Sequence, residues 1–163
     1  MTEMMLHDPR VARAIQVVWH EAQLLDDKEY EAWEKLYGTD AMYVVPIDHT
    51  TDDFANSLNM VYDDARMRRM RVDRMVQGNA PSAVAAARTV RTVSSFRATD
   101  VSDTHVTLTS AQVLVSYKRS ATDVLGARVT HRISLDDGGD RIELKVIRLL
   151  NSDQPVHAAG FLL

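Results

Sequence analysis

The sequence contains no cysteine, and only 6% of its 163 residues are aromatic. Without cysteine the chain can form no disulfide, no thiolate zinc site and no thiolate iron–sulfur cluster, and it has no cysteine nucleophile. It also lacks the G-x-S-x-G motif of a nucleophilic serine and the glycine-rich loop that binds phosphate groups. Several common kinds of catalytic and cofactor site are therefore excluded.

An excess of positive charge and long apolar runs are also missing. The net charge is −4, which argues against general nucleic-acid binding because such proteins usually carry a basic stripe. No apolar run approaches the roughly 18 residues that a membrane helix needs, and the N-terminal stretch is charged where a signal peptide has its apolar core. We therefore expect a cytoplasmic protein without nucleic-acid or membrane partners. The length is typical of a single domain, residues 1–163.

The first half of the chain predicts three helices. The first begins at Asp8-Pro9, where an N-cap residue precedes a proline, and its apolar residues recur every three or four positions. A second helix is predicted to start in a capping box formed by Asp26 and Glu29 and to end at Gly38. The third extends from about residue 64 to residue 77.

The other segments predict strands. Two short strands, Ala41–Ile47 and one near Leu58–Tyr62, precede the third helix. From Arg88 onward apolar residues alternate, which predicts the strands Arg88–Thr99, His105–Arg119, Leu125–Leu135 and Arg141–Leu150. The turn sequence DDGGD at 136–140 indicates a hairpin between the last two. This order predicts an α+β fold in which helices cover one face of a single curved, mostly antiparallel sheet.

The third predicted helix carries five arginines within the nine positions Arg66–Arg74. Pairs four residues apart, such as Asp64–Arg68 and Arg69–Asp73, are typical of a solvated helix. Arg71 and Arg74 instead share a helix face with methionines. Because arginine covers apolar surface with its stem and is enriched at protein interfaces, we expect Arg71 and Arg74 to make subunit contacts or buried pairs.

His131 is the most unusual of the six histidines because it alternates with apolar residues along a predicted strand. It is expected either to be a hydrogen-bonded structural residue or to line a pocket. Paired with an acid such as Asp26 or Asp27, it could perform proton transfer or dehydration. Asp26 has the alternative role of a helix cap. No two histidines are three or four residues apart, and nothing points to an iron site assembled from distant strands, so we expect no metal in this chain.

Five stretches of sequence become informative when they are taken together in their order. They are Glu21-Ala-Gln-Leu-Leu-Asp26 with Tyr30, Trp33 and Leu36; Tyr43-Val-Val-Pro46; Val61-Tyr-Asp-Asp64 with Arg71, Val72 and Arg74; Arg88-Thr89 with Arg91-Thr-Val-Ser94; and Val146-Ile-Arg-Leu-Leu150 with Gly160-Phe-Leu-Leu163. Together they resemble the small (beta) subunit of aromatic-ring-hydroxylating dioxygenases over nearly the whole chain. The resemblance implies the cone-shaped NTF2-like (SnoaL-like, cystatin-like) fold.

The resemblance also implies a structural role. In that family the large (alpha) subunit carries a Rieske 2Fe–2S cluster and a mononuclear iron, whereas the small subunit carries neither and forms the trimeric base of an α3β3 assembly. This chain would then be a non-catalytic beta subunit without cofactors, supporting hydroxylation of an aromatic compound by O2 in the alpha subunit. Ferredoxin and reductase partners would supply electrons from NAD(P)H. The candidate interface residues are Arg71, Arg74, Arg88, Arg91 and Phe161, the last in an apolar end that is expected to be docked.

Two other functions are compatible with the same superfamily. One is a stand-alone dehydratase- or isomerase-like enzyme that uses Asp26 and His131 as an acid–base pair, and the other is a ligand-binding module. An interior filled by bulky side chains would favour the subunit. An open interior, with Asp26 and His131 close to a common point, would favour the enzyme.

Overall fold

The computed structural model describes residues 7–77, 87–152 and 162–163. These ranges contain three α-helices: α1 (Pro9–Asp26), α2 (Tyr30–Glu34) and α3 (Ala65–Gln77). They also contain six β-strands: β1 (Tyr37–Pro46), β2 (Asn59–Asp63), β3 (Arg88–Val101), β4 (His105–Lys118), β5 (Ala121–Ser134) and β6 (Arg141–Leu149). The predicted α+β class is confirmed. None of the helices in the described ranges is long and apolar enough to cross a membrane.

The strands form one mixed sheet in the order β2-β1-β6-β5-β4-β3. Strands β3 to β6 are the predicted antiparallel meander, whereas β1 lies parallel to β6 and antiparallel to the edge strand β2. The register of β3 against β4 shifts between Ser94 and Arg97 and again between Ala98 and Asp100. Ser95, inside the first shift, has a positive φ of 56°. Such bulges bend a strand and increase its twist, which curves this side of the sheet.

The two faces of the sheet differ in their cover. On the face that we call the inner face, alternate residues of β4 and β5 are buried, among them Leu108 and His131. Helix α1 packs there with the apolar stripe Val11, Ala14, Ile15, Val18 and Leu25, and the Trp19 indole donates a hydrogen bond to the Val93 carbonyl at 3.1 Å. The opposite face, which we call the outer face, carries the intervening side chains of β3, β4 and β5.

Two predicted details around α2 are wrong. Asp26 is the last residue of α1 rather than part of a capping box, and Glu29, which precedes α2, makes no side-chain cap bond. Gly38 belongs to β1 rather than to a helix C-cap. A Cβ at position 38 would lie 2.7 Å from a carboxylate oxygen of Glu143. The space beside this glycine is taken by the Glu143 carboxylate of β6, and its role is not to end a helix.

The solvated-helix interpretation, in which Arg68 pairs with Asp64, is wrong for Arg68. Its side chain is buried, and its guanidinium donates to main-chain carbonyls of β1 and β2, those of Gly38, Ala41 and Asp63. It also lies over the Tyr37 ring, 4.8 Å from the centroid. Arg68 therefore fixes α3 to two strands. The predicted Arg69–Asp73 ion pair is confirmed, at 3.5 Å.

Candidate functional site

A group of polar side chains is buried between α1, α2 and the inner face of the sheet. We call it the Glu21 cluster, and its members are Glu21, Trp33, Tyr37, His131 and Lys145. Glu21 lies on the inward stripe of α1, one turn before Leu25. His131 and Lys145 are directly opposite each other on β5 and β6. Directly opposed residues of neighbouring strands point to the same face, so both side chains reach the carboxylate of α1.

The Glu21 carboxylate accepts three hydrogen bonds and forms an ion pair. Its Oε1 atom accepts from His131 Nε2 at 2.9 Å and lies 3.0 Å from the Lys145 Nζ atom, its ion-pair partner. Its Oε2 atom accepts from Trp33 Nε1 at 2.9 Å and from Tyr37 OH at 2.7 Å. An ionised carboxylate can only accept, so His131 carries its proton on Nε2. The cluster therefore joins two helices and two strands through one buried acid.

Burial and the neighbouring charges set the ionisation of the cluster. Burial by itself would raise the pKa of Glu21, but the Lys145 ammonium and the His131 hydrogen bond outweigh it, and the pKa lies well below the ordinary value. Burial lowers the pKa of His131 despite its bond to Glu21, so the imidazole is neutral. Burial likewise lowers the pKa of Lys145, and the charge of Glu21 opposes this effect. The arrangement is an ion pair of Glu21 and Lys145 with a neutral histidine beside it.

The main chain of Leu162 and Leu163 occupies the space next to this cluster. Both side chains are buried. The carbonyl oxygen of Leu163 accepts from Lys145 Nζ at 2.9 Å and from Tyr43 OH at 3.0 Å, and the Leu162 carbonyl accepts from Arg91 Nη2 at 2.6 Å. The expectation that the apolar end is docked is confirmed for these two residues. Phe161 lies outside the described residues.

Asp26 and His131 have different partners. The Asp26 carboxylate accepts from Thr89 Oγ1 at 2.8 Å and from the Arg91 main-chain nitrogen at 3.0 Å, whereas His131 binds Glu21. The hypothesised Asp26–His131 pair is therefore not the one that the fold forms. Glu21 was missed as the partner, although a carboxylate among the inward residues of α1 is a signal that the sequence contains.

The candidate interface arginines fall into two groups. Arg71 donates to both carboxylate oxygens of Asp63, at 2.6 and 3.1 Å, and Arg91 is fully buried within the chain. These two have partners inside the subunit. Arg74 and Arg88 are exposed. Of the four, these are the two that the fold leaves free to meet another protein.

The described ranges hold no group of three or more histidine, aspartate and glutamate side chains placed to bind a metal ion. Glu21 already accepts from three donors and pairs with Lys145, and Tyr43 and Lys145 are bound to Leu163. A buried carboxylate with this many donors is held in its charged form rather than prepared to exchange protons with a substrate.

Comparison of the sequence and the fold with known proteins identifies the family. Residues 20–154 match the model of the family described as ring hydroxylating beta subunit. The chain is 30% identical over 128 residues to the small oxygenase component of the p-cumate 2,3-dioxygenase system of Pseudomonas putida, covering 77% of this chain and 71% of that protein. The crystal structure of the benzoate 1,2-dioxygenase beta subunit from Burkholderia mallei superposes with a TM-score of 0.78 at 20% identity, over 93% of this chain and 96% of that one.

A structure of naphthalene 1,2-dioxygenase with bound indole gives a TM-score of 0.75 at 20% identity, over 93% of this chain and 84% of that one. At these identities the structural matches establish the fold, which is NTF2-like. The family model, which covers most of the chain, and the Pseudomonas relative together establish the family. The chain belongs to the beta subunits of aromatic-ring-hydroxylating dioxygenases.

Proposed function

We propose that this chain is a non-catalytic, structural beta subunit of a terminal oxygenase and that it supports hydroxylation of an aromatic compound in the alpha subunit. The occupied polar groups of the described interior are the observation that carries the proposal. The Glu21 carboxylate accepts from three protein donors and pairs with Lys145, and the Leu162–Leu163 main chain accepts from Arg91, Tyr43 and Lys145. A substrate would have to compete with these protein groups for the Glu21 carboxylate.

Family membership supports the partners and cofactors of the proposed assembly. The large alpha subunit would hold the Rieske cluster and the mononuclear iron, and this chain would hold neither. Three copies of the chain would form the base of an α3β3 particle in the cytoplasm. Ferredoxin and reductase proteins would deliver electrons to the alpha subunit and would not need to contact this chain.

The exposed side of α3 is the surface that we propose for contact with another subunit. Met67 and Met70 are 40% and 50% exposed, and the exposed Arg66 and Arg74 flank them. Methionine and arginine are both enriched at protein interfaces, where flexible apolar groups fill gaps and guanidinium groups pair with carboxylates. Arg71, paired with Asp63 in the layer beneath, would hold the helix in place for this contact rather than make it.

Co-expression with the tagged alpha subunit tests the proposal. Affinity capture followed by native mass measurement should return both chains in equal amounts in one hexamer-sized particle. Arg74→Glu should weaken the recovery, because it reverses a charge at the proposed surface, whereas Lys28→Glu makes the same charge change in the exposed turn between α1 and α2 and should leave recovery unchanged. Absence of any co-purification with a folded chain would refute the subunit function.

Catalysis by the assembled particle gives a second, independent test. His131→Gln should leave turnover by the complex nearly unchanged once the complex has assembled, because His131 is buried and bonded to Glu21 rather than to a substrate. A loss of several orders of magnitude in an intact particle would contradict the non-catalytic assignment and favour an acid–base function of the interior.

A further inference from the structure

Two methionines are exposed side by side on α3. Met67 and Met70 are 40% and 50% exposed, and residues three positions apart on a helix are neighbours on its surface. We call these two residues the methionine pair. The other methionines within the described residues are less exposed: Met60 and Met75 pack against the core, and Met42 is half-buried in β1. Within the described part of the chain, a dissolved oxidant therefore has its best access to the sulfur atoms of the methionine pair.

The sulfur atom of Met70 lies beside a guanidinium group. Arg66, one turn earlier, donates from Nη1 to Met70 Sδ at 3.7 Å, and the exposed Arg74 lies four positions after Met70. A thioether sulfur is only a weak acceptor. Neither arginine forms an ion pair with any residue that the structure describes. Both guanidinium groups are therefore able to donate to a stronger acceptor at position 70.

The buried side of α3 is held by other residues. Val72 is fully buried, and the Arg68 guanidinium donates to main-chain carbonyls of β1. The methionine pair takes part in neither contact, so a change at its exposed sulfur atoms leaves the attachment of the helix intact. A modification of the pair therefore alters the surface of α3 without unfolding the chain.

We propose that Met67 and Met70 form a reversible oxidation site, at which hydrogen peroxide blocks the contact of α3 with another subunit. This inference rests on the proposed function, because the subunit contact is part of that proposal. Peroxide, the two-electron reduction product of O2, transfers one oxygen atom to the thioether sulfur: an S–O bond forms, the O–O bond breaks and water leaves. The sulfur loses two electrons, which the peroxide gains. Methionine sulfoxide reductases reverse the step with two electrons from a pair of thiols, and the oxygen leaves as water.

One added oxygen atom changes both properties that suit this surface to a subunit contact. A sulfoxide is polar, so the exposed apolar area of the methionine pair is lost. Its oxygen is also a strong hydrogen-bond acceptor, and Arg66 already donates to the sulfur that would carry it. A guanidinium group bound to the sulfoxide is no longer available to the carboxylate of a partner. Oxidation therefore weakens association, and reduction of the sulfoxide restores it.

The oxidation step is measured on the dilute isolated chain. Hydrogen peroxide is added for increasing times, and peptide mass spectrometry gives the fraction of each methionine that has gained an oxygen atom. Met67 and Met70 should oxidise at least about fivefold faster than Met42 and Met60, because susceptibility follows exposure. Methionine sulfoxide reductases for both sulfoxide epimers, supplied with dithiothreitol, should return the pair to its reduced form. Equal oxidation rates at all four positions would overturn the inference.

Co-expression with the tagged alpha subunit tests the effect on assembly. Met67→Gln combined with Met70→Gln places a polar oxygen on each side chain, as oxidation does, and should lower recovery of the complex at least about fivefold. Met67→Leu combined with Met70→Leu is the matched control, because it keeps the apolar surface and the helix propensity but cannot be oxidised; its recovery should equal that of the wild type. Both variants should have the wild-type circular dichroism spectrum. Equal recovery of the two variants would contradict an effect of oxidation on assembly.

The assembled particle separates this inference from the proposed function. Met67 and Met70 should oxidise at least about tenfold more slowly in the co-purified particle than in the dilute isolated chain, because the contact covers them. Equally fast oxidation in both would overturn the inference, since the methionine pair would then lie outside every subunit contact. A wild-type chain that captures no alpha subunit would refute the proposed function, whereas fast and reversible oxidation of the isolated chain would still establish the oxidation site.

Discussion

Replacing Glu21 with glutamine tests the buried cluster directly, because the change keeps the shape of the side chain and removes its charge. The carboxamide has one oxygen where the carboxylate has two. If that oxygen faces Lys145 and His131, its NH2 group faces the donors of Trp33 and Tyr37. The Tyr37 hydroxyl can rotate to accept, but the Trp33 N–H cannot and is left without a partner.

The size of the effect follows from two costs. A buried donor without a partner costs about 1–3 kcal/mol, and removing one member of a buried ion pair costs about 3–5 kcal/mol. The two overlap, and Lys145 keeps its bond to the Leu163 carbonyl, so we expect a loss of about 3–5 kcal/mol in all. At roughly 2–4 °C per kcal/mol for a domain of this size, Tm should fall by roughly 6–20 °C.

Urea unfolding followed by circular dichroism measures this loss. Wild type and variant are compared at one protein concentration and one ionic strength, because association changes apparent stability. Glu31→Gln, at an exposed position of α2, is the matched control and should change the unfolding free energy by less than about 0.5 kcal/mol. Adding Lys145→Met to Glu21→Gln should recover part of the loss, because the unpaired ammonium is then gone. A Glu21→Gln loss below about 1 kcal/mol would refute the role assigned to the carboxylate.

Three further changes probe other parts of the interior. Burial lowers the pKa of His131, so the unfolded chain binds a proton there at higher pH than the folded chain. The unfolding free energy of the wild type should therefore fall below about pH 6.5, by up to about 1.4 kcal/mol per pH unit. His131→Gln should remove that slope in a series of urea unfolding measurements from about pH 5 to 7.5. Leu163→Ala should lower the unfolding free energy by about 2–5 kcal/mol, because its side chain is buried. A change near zero would mean that docking of this end does not stabilise the fold. Arg68→Met should cost about 1–3 kcal/mol by leaving the Gly38 and Ala41 carbonyls unpaired, and an unchanged urea midpoint would contradict the anchoring of α3.

The meander was predictable because its signals are local. Alternating apolar residues from Arg88 onward and the DDGGD turn define four strands whose observed bounds differ from the predicted ones by a few residues. The start of β1 was not predictable in this way. Tyr37 pairs with Ile142 in β6, more than 100 positions along the chain, so no nearby residue signals that the strand begins there. Gly38 was assigned to a helix cap because glycine is common at caps and its close neighbour Glu143 is visible only in the fold.

The candidate site was predictable in part. The apolar alternation around His131 indicated a buried histidine that needs a partner, and this is confirmed. The sequence did not say which acid of α1 would meet it. Asp26 ends the helix and its carboxylate reaches β3, whereas Glu21 lies five residues earlier and faces β5. Arg68 was misplaced for a related reason, because a helical projection orders residues around α3 but does not show where β1 and β2 lie.

This chain has charged side chains buried on the inner face of its sheet and apolar side chains exposed on the outer face. Glu21 of α1 binds His131 and Lys145 of the inner face, and Lys145 also binds the Leu163 carbonyl. Burying these charges is costly unless each is paired, which explains why the cluster leaves Glu21 with no spare acceptor for a substrate. Within residues 7–77, 87–152 and 162–163, exposed valines and arginines lie on the outer face. An interior acid already bound by protein groups, together with exposed apolar and arginine side chains, is what we would expect of a chain that acts through contacts with other subunits.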